Sequence, residues 1–164
     1  MLSFNSLRLF CFGGTGFVAI LLIFCTNIAK AQVELGEAPI NYLTAKSNDP
    51  VAQFMAKMES GESNLKFDAG QGYLSSALKE FDVHSSSQVL VFSKTSLQLK
   101  YISPQTPRAI YFSDDVYIAW CQGGDFIEIS AVDPNLGAFF YTIDQHPTGK
   151  PKITRKTYDC LQCH

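Results

Sequence analysis

The chain has 164 residues, of which 46% are hydrophobic and 17% charged, with a formal net charge of −2. That balance suits one ordinary globular domain and argues against a disordered chain. It also offers no basic field for a polyanion, so no nucleic-acid partner is expected.

The N-terminus reads as an export signal over residues 1–31. Arg8 precedes an uncharged apolar run from Leu9 to Cys25, and Ala29-Lys30-Ala31 supplies the small residues of a cleavage site. Cleavage after Ala31 leaves Gln32 as the first residue of a periplasmic or secreted protein. The alternative is an uncleaved anchor, because Leu9 to Ile28 approaches the ~20 apolar residues that span a bilayer; a membrane is a partner only in that case. A lipoprotein site at Cys25 is disfavoured by the bulky Phe24 before it. Gly13-Gly14-Thr15-Gly16 has no following Lys and is not a phosphate loop. Losing Arg8 and Lys30, and no acid, leaves 11 basic against 15 acidic residues, a net charge of about −4.

Residues 32–47 show little periodicity and read as an extended lead-in to an α+β domain over 48–146. A first helix is signalled by Asn48 or Asp49 as N-cap, Pro50 at the first helical position and Gly61 beyond the end. Val51, Phe54, Met55 and Met58 share its apolar stripe. Either Met could serve as a distal metal ligand, but a Met stripe at helical spacing is usually core. A second helix is expected from Tyr73 to Phe81, with Leu74, Leu78 and Phe81 in register. Gly70-Gln71-Gly72 lacks the third Gly of a dinucleotide loop.

After Ser85-Ser86-Ser87 the period becomes strand-like. Val89–Phe92, Arg108–Phe112, Val116–Trp120, Phe126–Val132 and Ala138–Ile143 are separated by turn signals, as in an antiparallel meander. Ile127, Ile129 and Ala131 alternate with Glu128 and Ser130, which suits a sheet with one face on a core and the other in water. The expected fold class is therefore α+β: two N-terminal helices packed on an antiparallel β-meander. Thr95 to Pro107 reads as a crossing loop.

Isolated polar residues carry less. Asp114 and Asp115 could act as acid and base or bind a cation, but adjacent carboxylates in a hairpin are normally solvated turn formers. Asp133 heads a turn with Pro134 and Gly137 and should cap its own backbone. His84 and His146 are distal-ligand candidates that also read as surface loop residues. Cys121 reads as a buried small hydrophobe.

Residues 147–159 form a basic linker. Six acids and no Lys or Arg lie between Asp114 and Asp144, whereas Lys150, Lys152, Arg155 and Lys156 crowd into this stretch. Such a patch could steer an acidic redox partner, or simply be solvated.

Residues 160–164 close the chain as Cys160-Leu161-Gln162-Cys163-His164, which is C-x-x-C-H, the attachment motif of a c-type haem. Two residues between the thiols let one helical turn present both sulfurs to the vinyl groups on one porphyrin edge. His164 then becomes the proximal ligand and metal-binding residue, and Cys160 and Cys163 hold haem c covalently. The competing readings are a redox dithiol, half of a zinc site and a plain disulfide. A redox dithiol normally opens a helix after a strand, and no second pair with zinc-ligand spacing is present.

Several blocks ahead of this motif carry a resemblance. Ser93-Lys94-Thr95-Ser96-Leu97-Gln98, Pro107 through Tyr117, Gly123-Gly124-Asp125, Ala131-Val132-Asp133-Pro134, Gly137 through Thr142 and the final C-x-x-C-H resemble a family of uncharacterised secreted bacterial proteins related to c-type cytochromes. The likeness covers Leu74 to His164. It implies haem binding and redox function without naming a substrate. In that family the chain continues well past the motif, so this sequence is expected to be the N-terminal part of a longer protein whose haem pocket lies further on.

The expected function is that of an exported c-type cytochrome-like haem-binding protein in electron transfer, its redox partner protein unspecified. The alternatives are a non-catalytic exported binding module with a Cys160–Cys163 disulfide and the front part of a larger haem oxidoreductase.

Overall fold

The computed structural model describes residues 36–92, 95–147 and 150–161. The expected signal segment and cleavage site, Ser93, Lys94, Cys163 and His164 lie outside the described residues. The chain divides into two units, residues 1–42 and 43–164. In the described part of the first, Asn41 turns back with φ 48° and its N–H donates to the Glu37 carbonyl at 2.8 Å. Residues 36–44, expected to be extended, are mostly turns.

The second unit is built on a six-stranded antiparallel sheet in which every strand neighbours the next one in sequence. Its strands are β1 (Val89–Val91), β2 (Arg108–Phe112), β3 (Val116–Trp120), β4 (Phe126–Asp133), β5 (Gly137–Asp144) and β6 (Ile153–Lys156). Val, Ile, Phe and Tyr dominate these runs because branched and aromatic side chains pack well on a pleated surface. The register pairs Ile110 with Ala119, Ala119 with Glu128, Glu128 with Thr142 and Thr142 with Thr154, which puts all five on one face. The opposite face carries Ile118, Ile127, Ile129, Ala131, Phe139 and Ile143, all buried.

That buried face meets α1 (Pro50–Ser60), which contacts β4. The helix begins where Asp49 Oδ1 accepts the N–H groups of Val51 and Ala52 at 2.8 and 3.0 Å, and Pro50 fills a position whose N–H would have no helical partner. It ends at Gly61, whose left-handed φ of 79° suits a residue without Cβ, with the Glu62 N–H closing on the Lys57 carbonyl at 2.9 Å. Of the expected stripe, Val51 and Phe54 are buried, while Met55 and Met58 are half-buried. A shorter α2 (Leu74–Glu80) buries Leu74 and Ala77, and Phe81 just beyond it meets Phe54 edge to face at 5.5 Å.

Two contacts fix the helix entry to the sheet. The Tyr141 hydroxyl donates to Asp49 Oδ2 at 2.5 Å, and the Asn48 N–H donates to Asp133 Oδ2 at 2.6 Å. Burial, reinforced by the adjacent Asp49, raises the Tyr141 phenol above its ordinary value. Asp133 is held below the ordinary carboxylate range by the backbone N–H of Asn48, with further N–H bonds from Asn135 and Leu136 acting the same way.

The expected fold class is corrected. Among the described residues the unit is mostly sheet with three short α-helices, the third being α3 (Tyr158–Leu161) near the C-terminus rather than part of an N-terminal pair. The reason lies in length and capping. Seven residues give α2 only about two turns, and its N-cap Tyr73 makes no side-chain capping bond, so α1 alone of the two meets the sheet closely and no two-helix layer forms over it. The segment expected as a basic linker, 147–159, instead supplies β6, whose Ile153 to Lys156 backbone pairs antiparallel with Phe140 to Ile143 of β5.

Two outcomes follow for stability. Asp49→Ala removes both the cap and the acceptor of Tyr141 and should cost about 2 kcal/mol in urea unfolding. Asp133→Asn should unfold at lower urea than the wild type at pH 7. Because the folded carboxyl titrates below its unfolded value of about 3.9, its contribution is present above that value and lost as the pH falls through the lower folded one. The gap between the two proteins should therefore close in acid, and a constant gap from pH 7 to pH 2 would contradict this.

Candidate functional site

The face of the sheet turned away from α1 is left partly open. A groove of about 500 Å³ runs across it, floored by Ile110, Ala119, Glu128 and Phe140 and bordered by Tyr117, Lys156 and Cys160. One wall is the loop after β1, and another is α3, whose Leu161 N–H closes on the Thr157 carbonyl at 3.2 Å and which carries Cys160 half-buried.

Glu128 sets the shape of this groove. It lies near the middle of β4, and its carboxylate receives the Ser96 hydroxyl at 3.0 Å, the Leu97 N–H at 2.7 Å and the Arg108 guanidinium at 3.2 Å. With the side chains of Arg108 and Glu128 only 10% and 16% exposed, the pair is largely withdrawn from water and needs every one of those bonds. Gln98 completes the attachment of the loop. Its side-chain amide donates to the Phe126 carbonyl at 2.8 Å and accepts the Phe126 N–H at 3.2 Å. Gly124 makes room for it, since a Cβ there would meet Gln98 Oε1 at 2.6 Å and the Cys121 carbonyl at 3.0 Å.

Cys160 alone among the three motif residues can be placed, on the rim of the groove. Cys163 and His164 fall outside the described residues. The distal-ligand candidates do not converge there. Met55 and Met58 line a separate depression of about 270 Å³ with Lys150, Pro151 and Ile153. His84 is exposed and shares a hydrogen bond with the Ser86 hydroxyl at 2.6 Å, and His146 is exposed at the end of the described loop after β5. Asp114 and Asp115 are exposed in the β2–β3 turn, where the Ser113 N–H bonds the Val116 carbonyl at 2.9 Å. Among the described residues no group of three or more His, Cys, Asp and Glu is placed to hold a metal ion, and no helix is long and apolar enough to cross a membrane.

The basic cluster divides. Arg155 stacks its guanidinium over Phe139 at 4.3 Å and donates to the Ala45 carbonyl at 2.8 Å on the covered face. Lys156 borders the groove on the other face, and Lys150 and Lys152 are exposed beyond the strand. On the acidic side, Asp125 is lowered by the Tyr101 hydroxyl at 2.8 Å and by Lys100 at 3.2 Å.

Cys121 is buried beside the floor. Burial raises its thiol, the Glu128 carboxylate adds to the effect and Arg108 opposes it. No known protein family, curated protein or solved structure matches the chain.

Ser96, Gln98 and Arg108 lie within the blocks that carry the resemblance, but neither they nor Glu128 has a site role in the sequence reading. The available signal was a carboxylate at an alternating position of an otherwise apolar strand, which pattern alone reads as solvent-facing. Glu128→Ala should destabilise the fold by about 3 kcal/mol, by leaving Arg108 without its carboxylate, and should speed hydrogen exchange at the Leu97 amide. Cys121 should resist iodoacetamide at pH 8 in the native protein and react after unfolding, because the thiolate is the nucleophile; rapid native alkylation, read by mass spectrometry, would contradict its burial.

Proposed function

We propose that the chain is an exported c-type cytochrome-like protein in which Cys160 and Cys163 carry haem c through thioether bonds and His164 ligates the iron. The C-x-x-C-H spacing carries this reading, and the resemblance to secreted proteins related to c-type cytochromes and the N-terminal signal pattern agree with it. The chemistry of the groove beside Cys160 suits the group. An apolar floor of Ile110, Ala119 and Phe140 can exclude water from a flat macrocycle, and a Lys156 ammonium can meet an anionic edge. A bound haem supplies a one-electron ferric–ferrous couple, so the proposed role is electron transfer. The contribution of the chain is to tether, to orient and to exclude water.

The test is co-expression with a cytochrome c maturation system. The chain should emerge with a Soret band that survives denaturation and acid-acetone extraction. Cys160→Ser or Cys163→Ser should weaken that retention, and His164→Ala should change the spectrum while leaving haem attached. A colourless protein with Cys160 and Cys163 oxidised to one another, from cells that mature other c-type cytochromes, would replace this reading with a disulfide-bonded binding module.

A further inference from the structure

The open sheet face has more order than a solvent-facing surface requires. Tyr117, Ser130, Phe140 and Lys156 form one row across β3, β4, β5 and β6, each opposite the next in register. With neighbouring strands about 4.8 Å apart, the row runs roughly 14 Å and presents an aromatic ring toward each end of its first three members and a cation at the last. Tyr117 also stacks on Phe112 at 6.0 Å and 19°, and the two rings remain 46% and 40% exposed. An aromatic pair left this open, continuous with an apolar floor and a lysine, is the composition of a site for a flat apolar ligand with an anionic edge.

We propose that this face is the seat of the macrocycle tethered at Cys160, with Ile110, Tyr117, Ala119 and Phe140 as the wall it rests on and Lys156 as the partner of a propionate. The proposal rests on the haem reading above and goes further, assigning part of the haem pocket to this sheet rather than to chain beyond the motif. Three observations converge on it. Cys160 borders the same groove as the four wall residues. Lys156 faces that groove and has no ion pair among the described residues. Of the two carboxylates lining the groove, Glu128 is already engaged by Ser96, Leu97 and Arg108 and so is neutralised toward an incoming anion, while Asp159 is exposed beside Cys160. The groove volume of about 500 Å³ lies within the 300–1,000 Å³ range of small-molecule and cofactor sites.

The experiment compares the wild type with Ala119→Trp, which fills the floor, and Lys156→Gln, which removes the cation, all matured with haem in the same cells. Both variants should retain thioether-bound haem, because attachment needs only the motif. Ala119→Trp should lose at least half of the Soret circular dichroism, since the macrocycle can no longer lie against the chiral surface of the sheet. Lys156→Gln should keep the dichroism and lower the reduction potential, because a cation near a propionate favours the ferrous state. Far-UV dichroism equal to wild type excludes misfolding, and Lys156→Gln, at a half-exposed strand position, gives a second reading should Ala119→Trp fail to fold. Haem attached in all three proteins with unchanged Soret dichroism and unchanged potential would overturn the seat while leaving the haem reading standing; the macrocycle would then be covered by another part of the protein or by a second copy. No haem in the wild type would defeat the haem reading itself, and this seat with it.

Discussion

Glu128 is the constraint on which the second face of the sheet depends. A carboxylate at the centre of an antiparallel sheet must be either solvated or paired, and this one is paired on three sides by Arg108 from β2 and by Ser96 and Leu97 from the loop after β1. That pairing pins the loop over the open face of the sheet. The loop in turn closes one side of the groove, and the Gln98 clamp on Phe126 sets how far it can shift. Without the carboxylate, Ser96, Leu97 and Arg108 would lose their shared partner, and the loop would be held by the Gln98 clamp and by the bonds of Lys100 and Tyr101 to Asp125.

The two faces of the sheet are stabilised by different means. The covered face is a dense apolar contact, with Ile118, Ile127, Phe139 and Ile143 fully buried and the helix entry tied down by Asp49 and Asp133. Burial of such side chains is worth roughly 1.5–3 kcal/mol each, so this face carries most of the stability. The open face relies on one ion pair and a handful of polar clamps, and its Phe112 and Tyr117 rings stay in contact with water. A surface of that kind is freer to change its occupant without unfolding the domain, which fits the binding role proposed for it.

Much of the local structure was legible because it is written in local chemistry. Asp49, Pro50 and Gly61 bracket α1, and the turn residues around Asp114 and Asn135 separate strands whose spans lie within a residue or so of the alternating runs. Assembly was not legible. The helical layer expected over the sheet fails because α2 is too short, a matter of tertiary length that periodicity does not report. Residues 153–156 looked like linker because Arg and Lys dominate them, yet backbone pairing with β5 needs no particular side chain. Glu128 was read as solvent-facing because alternation gives the face and not what else packs against it. Of the three residues expected to hold haem, Cys160, Cys163 and His164, Cys160 lies among the described residues.

The same alternation changes what the basic cluster can do. Arg155 and Lys156 are neighbours in sequence and therefore point to opposite faces of β6. Arg155 is committed to Phe139 and the Ala45 carbonyl, so its charge serves packing. Lys156 turns to the groove. Only Lys150 and Lys152 remain exposed before the strand, and two charges at an exposed loop, screened within about 8 Å at physiological ionic strength, make a weak guide for an acidic partner. A cluster of four that looks like one docking patch in the sequence is thus three separate features in space. The Lys156 ammonium gains most from its position, because an interaction beside an apolar floor is screened less than one in open solvent. If an anion is drawn to this protein, the groove is where its charge is best met.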